Sequence, residues 1–140
     1  MVESVYVAGG LTGTSDSYKD FLKTVILVFE AKIMVNRFFS LQILKDPSID
    51  GQNRYLFNQR QVLRSDALVA FCDYPSIGVG MEVMIAHRAK KKIIILHKAS
   101  LQLAKMPLEF ANYFEYPVLP YSSFEPITQI VEKILAKLNK

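Results

Sequence analysis

The 140-residue sequence has no tryptophan, one cysteine, six glycines and six prolines. A lone cysteine, Cys72, excludes an internal disulfide framework and any multi-cysteine zinc site. His87 and His97 have no metal-ligand partner at usable spacing, so both read as ordinary surface or core histidines. No metal and no other cofactor is expected. No run of about 18 apolar residues occurs, so no membrane-spanning helix is expected. The opening Met1-Val2-Glu3-Ser4 lacks a basic stretch leading into an apolar one, which predicts no secretory leader and a cytoplasmic setting. Charge of one sign is also scarce: 17 Lys and Arg against 13 Asp and Glu leave a net +4. The densest basic run, Lys90-Lys91-Lys92 after Arg88, closes a helical pattern, where lysines complement the helix C-terminus. Aromatic residues do not interleave with the basic ones, so a nucleic-acid polymer is not an expected partner.

What is present suits a core. Hydrophobic residues make up 51% and charged residues 21%, which excludes a disordered tail or linker. The length matches one domain, 1–140, large enough to bury a core without staples. No internal repeat is visible.

Periodicity gives the element order. Residues 4–8 read as a strand, followed by the loop Gly9-Gly10-Leu11-Thr12-Gly13-Thr14. Ser17-Tyr18-Lys19-Asp20 has the spacing of a helix start. Tyr18, Phe21, Leu22, Val25 and Phe29 then carry a helix to about residue 30. Residues 32–36 read as a second strand. The segment 37–54 has no clean period and carries the turn signals Asp46-Pro47 and Asp50-Gly51, so a loop or short helix is expected. A helix over 55–64 should turn Leu56, Val62 and Leu63 inward. Residues 67–72 are apolar throughout, as in a strand buried on both faces of a parallel sheet. A helix over 78–90, a buried strand over 92–96, a short helix over 107–114, a strand over 116–119 and an amphipathic C-terminal helix follow. This alternation predicts an α/β fold: a doubly wound, flavodoxin-like or Rossmann-like sheet of about five mainly parallel strands with helices on both faces. Ligands of such sheets bind beyond the carboxyl ends of the strands, where the loops 9–14 and 73–80 both fall.

The chemistry concentrates in Asp73-Tyr74-Pro75-Ser76-Ile77-Gly78-Val79-Gly80-Met81-Glu82. Gly78 and Gly80 open a helix and let a ligand approach the backbone, whose free amides favour an anion or a carboxylate. Glu82 is the only charged residue in the window 79–86. Burial of an unpaired carboxylate is costly. Near a helix N-terminus the dipole offsets part of that cost and keeps the group ionised, as a nucleophile facing a cleft needs. The plainer reading is a first-turn glutamate that caps backbone or pairs with a lysine, and the residues alone do not separate the two.

The sequence resembles the nucleoside 2-deoxyribosyltransferase superfamily, and within it the branch of 2'-deoxynucleoside 5'-monophosphate N-hydrolases. The resemblance rests on Val5-Tyr6-Val7-Ala8-Gly9-Gly10 and, more heavily, on Ser65-Asp66-Ala67-Leu68-Val69-Ala70 running into Pro75-Ser76-Ile77-Gly78-Val79-Gly80-Met81-Glu82. It implies that Glu82 attacks the anomeric carbon to form a glycosyl-enzyme intermediate, with the Tyr6 hydroxyl positioning that carboxylate. Gly9 and Gly10 would line the sugar or phosphate side, Ser76 would bind a 5'-phosphate, and Asp73 resembles an aspartate that often follows this strand. The partner implied is a small-molecule nucleoside or nucleotide, in a homodimer or higher homo-oligomer. A neighbouring subunit closes the site in related proteins, for which Asn112 is the candidate here. The Phe38-Phe39 pair is a candidate subunit interface.

Two features of the family pattern are missing. The family's helix aspartate, which assists the departing base, has no counterpart in Phe57-Asn58-Gln59-Arg60-Gln61; Asn58 or Gln59 takes its place. An amide holds a sugar hydroxyl but gives no proton at neutral pH. Two alternatives stand: Asp73 as a substitute, or a substrate whose base needs little help. Where the hydrolases place a serine and an arginine, this chain has Gly10 and Thr12, leaving hydroxyls and loop amides for a phosphate. Three readings follow: cleavage or transfer of an N-glycosidic bond, a nucleotide-binding module without turnover, or an unrelated flavodoxin-like or response-regulator-like domain. Cys72 reads as packing.

Overall fold

Three runs that are apolar on consecutive residues become the middle of one sheet. These are β1 (Ser4–Gly9), β3 (Ala67–Phe71) and β4 (Lys92–Lys98); every residue of β3 is buried, as are Ile93 to Leu96 in β4. The computed structural model describes residues 1–140. The edges are shorter and less buried: β2 (Met34–Asn36) and β5 (Val118–Tyr121). All pairings are parallel, in the order β2-β1-β3-β4-β5. The helices are α1 (Asp16–Glu30), α2 (Phe39–Lys45), α3 (Arg54–Arg64), α4 (Ile77–Arg88), α5 (Lys105–Tyr113) and α6 (Ile127–Leu138), with a 3-10 turn at Pro47–Ile49. α1 packs on α6, and α3 packs on α4. Right-handed crossovers put these pairs on opposite faces, because the chain first steps from β1 to β2 and then returns past β1 to β3. The carboxyl ends of β1 and β3 therefore flank the point where strand order reverses, the usual ligand position in such sheets. The α/β fold expected from the sequence is the fold observed.

Several local expectations are corrected. α1 is capped by Ser15, not Ser17: Ser15 Oγ accepts from the Tyr18 amide at 3.2 Å. The second strand starts at Met34, not Lys32, because the Lys32 and Ile33 amides still donate to Phe29 of α1 at 2.8 and 2.9 Å. The segment without a period holds the short helix that is one of its two expected forms, α2, started by Asn58 Oδ1 accepting from the Phe39 amide at 2.7 Å. Phe38 and Phe39 are buried within the protomer, Phe39 edge-on against Phe57, so they offer no subunit interface. Val62 faces inward as expected, but Leu56 and Leu63 are exposed and Phe57 is the other inward residue of α3. That inward stripe also carries Asn58 and Gln61, and amides on a core-facing stripe defeat a search for apolar periodicity. The last strand is shifted two residues, to Val118–Tyr121.

Candidate active site

The two loops at the reversal point meet closely. Gly10 ends the path out of β1, and a Cβ built on it would lie 3.2 Å from Ser76 Cβ and 3.9 Å from the Tyr74 carbonyl oxygen. The bare glycine lets the loops touch. Gly9 is glycine for a different reason: its Cβ would lie 2.6 Å from Leu22 Cδ1 in α1. Ser76 is the N-cap of α4, its Oγ accepting from the Val79 amide at 3.2 Å, and the Gly80 amide donates to the Ser76 carbonyl. Of the first-turn amides, those of Ile77 and Gly78 stay available to a ligand.

A cleft of about 130 Å³ opens there, lined by Gly9, Gly10 and Leu11 from the first loop, Ser76, Gly78, Val79 and Glu82 from α4, Asn58 from α3, and Phe38 and Ser40 at α2. Asn58, not Gln59, is the residue that reaches it. Because the Asn58 carbonyl oxygen is held by the Phe39 amide, its NH2 end is the part left for a ligand. Leu11, Phe38 and Ser40 were not among the expected site residues, and nothing in their local pattern marks them. No arginine or lysine lines the cleft, and Glu82 is its one acid.

Glu82 is half-buried, and its Oε2, sealed from solvent, has no hydrogen-bond partner. Strand alternation puts Tyr6 and Ala8 on the sheet face that α4 covers. Tyr6 is fully buried, and its hydroxyl also lacks a formed hydrogen bond. The two groups are near neighbours without meeting in good bonding geometry. Burial pushes the Glu82 carboxyl up to about 7, and the Tyr6 hydroxyl pulls weakly the other way. Burial, reinforced by the neighbouring Glu82 charge, drives the Tyr6 phenol well above its ordinary range. The expectation of a carboxylate held ionised by the helix dipole is thus corrected. Glu82 is the sixth residue of α4, beyond the first turn where the dipole acts, and desolvation prevails.

Other expected site residues lie elsewhere. Thr12 is exposed and lines neither this cleft nor the larger cavity described next. Asn112 is exposed on α5, away from the cleft of its own protomer. Gly80 and Asp73 face a second cavity across α4, of about 390 Å³, walled by apolar side chains such as Val83, Met84, Ile95 and Phe110. Both oxygens of Asp73 are hydrogen-bonded: Oδ2 accepts from the Tyr18 hydroxyl at 2.8 Å and the Tyr121 hydroxyl at 2.6 Å, and Oδ1 from the Lys98 amide at 2.5 Å. Cys72 lines the same cavity, its thiol pushed up to about 11 by burial and by the Asp73 charge. His87 packs among Phe110, Phe114 and Tyr116, with Nδ1 at 2.7 Å from the Tyr116 hydroxyl, and His97 Nδ1 contacts two backbone carbonyls. No three His, Cys, Asp or Glu side chains converge as a metal site would require, and no helix is long and apolar enough to cross a membrane.

The fold and the cleft at its reversal point define a Rossmann-like α/β domain with one half-buried acid facing a small pocket. No protein-family model matches the chain, and no curated protein sequence matches it. Solved structures do. A CMP N-glycosidase of Clostridium botulinum, BcmB, superposes with a TM-score of 0.66 over 96% of this chain and 99% of that one, at 19% identity. A conserved protein from Enterococcus faecalis V583 superposes with a TM-score of 0.59 over 99% of this chain and 100% of that one, at 17% identity. At these identities the likeness establishes the shared fold.

Proposed function

We propose that the protein cleaves the N-glycosidic bond of a nucleoside, 2'-deoxynucleoside or 5'-monophosphate, by hydrolysis or transfer, as an N-glycosidase of the nucleoside 2-deoxyribosyltransferase type. One observation carries the reading: Glu82, the single acid of the cleft, is half-buried, with one carboxylate oxygen sealed from solvent and unpartnered and its pKa raised to about 7. A buried, unsatisfied carboxylate oxygen is too costly to keep for packing alone. The fold shared with a CMP N-glycosidase supports the reading.

The chemistry is that of glycosidic cleavage with a carboxylate nucleophile. As the C1'–N bond lengthens, its electron pair goes to the base nitrogen and positive charge builds on the sugar. A Glu82 oxygen stabilises that charge and then bonds C1'. Water, or the N–H nitrogen of a second base, next displaces Glu82 from C1', and the proton that this nucleophile loses passes through solvent to the departed base, so that a neutral base and the hydroxylated or transferred sugar are released. Tyr6 is proposed to donate to the carboxylate oxygen that does not attack. The cleft, of about 130 Å³ and open to solvent on one side, is proposed to take the pentose ring. In this reading the base extends outward past Phe38. The Ile77 and Gly78 amides, the Ser76 hydroxyl and the Asn58 NH2 are proposed to hold the sugar or 5' oxygens, with Gly9 and Gly10 as the opposite wall. The substrates are cytoplasmic small molecules in this reading. A homo-oligomer belongs to it as well, for which the exposed Ile77, Met81, Met106, Tyr113 and Phe114 on α4, α5 and the turn after it are available; a monomer at all concentrations by light scattering would remove that part.

Incubation with a panel of ribo- and deoxynucleosides and their monophosphates, read by chromatography of the free base, tests the proposal. Release from at least one of them, abolished by Glu82→Gln, is expected. A folded protein that releases base from none of the panel overturns it. The second reading, a nucleotide-binding module without turnover, is favoured by the amide of Asn58 where a proton donor would help the base leave. It predicts thermal stabilisation by a nucleotide with no base released, and Glu82→Gln binding as well as the native chain.

A further inference from the structure

We propose that Asp73 is a positioning residue: its carboxylate clamps the β3–α4 loop to α1, β4 and β5 and so sets Ser76 and the first turn of α4 against the Gly9-Gly10 wall. The inference rests on the function proposed above. Asp73 does not line the Glu82 cleft, and all its bonds lead away from it. A carboxylate that accepts from three donors has no hydrogen to give, so Asp73 does not stand in for the missing acid.

The bonds reach three separate elements. Tyr18 opens α1 at the end of the loop that begins with Gly9 and Gly10, and its amide is fixed by Ser15. Tyr121 ends β5, and Lys98 ends β4. Tyr18 and Tyr121 are 3% and 2% exposed, so neither hydroxyl can turn to water instead. Tyr74, next in the loop, packs edge-on against Tyr18 at 4.9 Å, and Lys98 Nζ lies over both rings at 5.5 and 5.7 Å. Two residues further on, Ser76 meets Gly10 and caps α4. The clamp therefore fixes the loop immediately before the helix that carries Glu82. A reacting group displaced by about 1 Å can lose about 10²-fold in rate.

The test compares Asp73→Ala, Asp73→Asn and Tyr121→Phe. Asparagine keeps an oxygen for the Lys98 amide, and its NH2 can donate to tyrosine hydroxyls that rotate to accept. Positioning predicts that Asp73→Ala lowers kcat about 10²-fold with little change in KM, while Asp73→Asn loses less than about tenfold. Tyr121 lines neither cavity, yet Tyr121→Phe should lower kcat in the same direction, and Asp73→Ala/Tyr121→Phe should be no worse than Asp73→Ala alone. A proton donor at this position would instead make Asp73→Asn as poor as Asp73→Ala, by about 10²–10⁴-fold, and Tyr121→Phe harmless; that pattern overturns the proposal. A readout independent of turnover is the amide spectrum. Tyr121→Phe and Asp73→Ala should shift the Gly10, Ser76 and Gly78 amide resonances, and Asp73→Asn much less. Unmoved resonances in a folded Asp73→Ala chain overturn the clamp even if the wild-type chain releases no base, a result that would by itself strike only the proposed function.

Discussion

The two cavities on either side of α4 differ in size and in what their acids are doing. The larger, about 390 Å³, is mostly apolar, and its one acid, Asp73, has both oxygens hydrogen-bonded by protein donors. The smaller, about 130 Å³, holds an acid with an oxygen that bonds to nothing. Buried polar groups are normally satisfied, because an unmade bond inside the protein costs about 1–3 kcal/mol. Volume measures where a ligand fits, whereas an unsatisfied charged group marks where a ligand or a reacting atom is missing. By that criterion we assign the proposed chemistry to the small cleft and not to the larger cavity.

The largest effect that could break this comparison is on turnover. Glu82→Gln keeps the shape of the side chain and removes the proposed nucleophile, so base release should fall by about 10³-fold or more. Met106→Ala, which trims an exposed side chain on the rim of the larger cavity, should stay within about twofold. Equal losses in the two variants, by the same chromatographic assay, would mean that the larger cavity takes part in the reaction. Tyr6→Phe falls between. A hydrogen bond to a charged group contributes about 1.5–3 kcal/mol, so its loss should slow turnover about 10- to 100-fold if the Tyr6 hydroxyl engages Glu82 in the transition state. Its melting temperature should not drop, since the hydroxyl removed is buried and unbonded.

The next effect is on stability, and its sign follows from the raised pKa of Glu82. The folded chain holds the Glu82 proton up to about pH 7, whereas the unfolded chain releases it near 4.5. Between these values the folded state binds more protons, so stability falls as pH rises through that window. The loss is complete above about pH 7 and is of the order of 3 kcal/mol. Glutamine does not titrate. Glu82→Gln should therefore match the wild-type melting temperature near pH 4 and exceed it by several degrees at pH 8. A constant difference across this range would mean that Glu82 is not desolvated as its position in the cleft requires. Turnover should move oppositely, rising about tenfold per pH unit below 7 as the nucleophile ionises.

The sequence made the fold legible where burial is two-sided or periodic. Residues 67–71 and 93–96 could be little else than central strands, and Ile130, Val131, Ile134 and Leu138 mark one face of α6. It also marked Glu82, because a single charge in an apolar window is visible without a structure. What it hid is set by contacts across the chain. Whether Asp73 faces a ligand or three protein donors depends on where Tyr18, Lys98 and Tyr121 arrive, 55, 25 and 48 residues away. Whether Asn58 or Gln59 reaches the cleft depends on the phase of α3, which its polar inward stripe conceals. The ionisation of Glu82 turned on a competition between dipole and desolvation that spacing alone cannot weigh.

The smallest effects separate the glycines, which look alike in the sequence. Gly80 sits inside α4 with open space where a Cβ would go, and it faces the larger cavity. Gly78 has only ordinary contact, 3.8 Å from Ser76 Oγ, and faces the cleft. Replacing a helical glycine by alanine removes backbone freedom from the unfolded chain and typically stabilises by about 0.5–1 kcal/mol. Both Gly78→Ala and Gly80→Ala should therefore melt slightly higher than the wild-type chain. Only Gly78→Ala should raise KM, since its methyl enters the space proposed for the sugar. Gly9→Ala should do the reverse of both: its Cβ would strike Leu22, which is 1% exposed, and overpacking of this kind costs about 1–3 kcal/mol. A KM raised equally by Gly80→Ala and Gly78→Ala would show that substrate spans both sides of α4, and the division between a reactive cleft and an inert cavity would have to be redrawn.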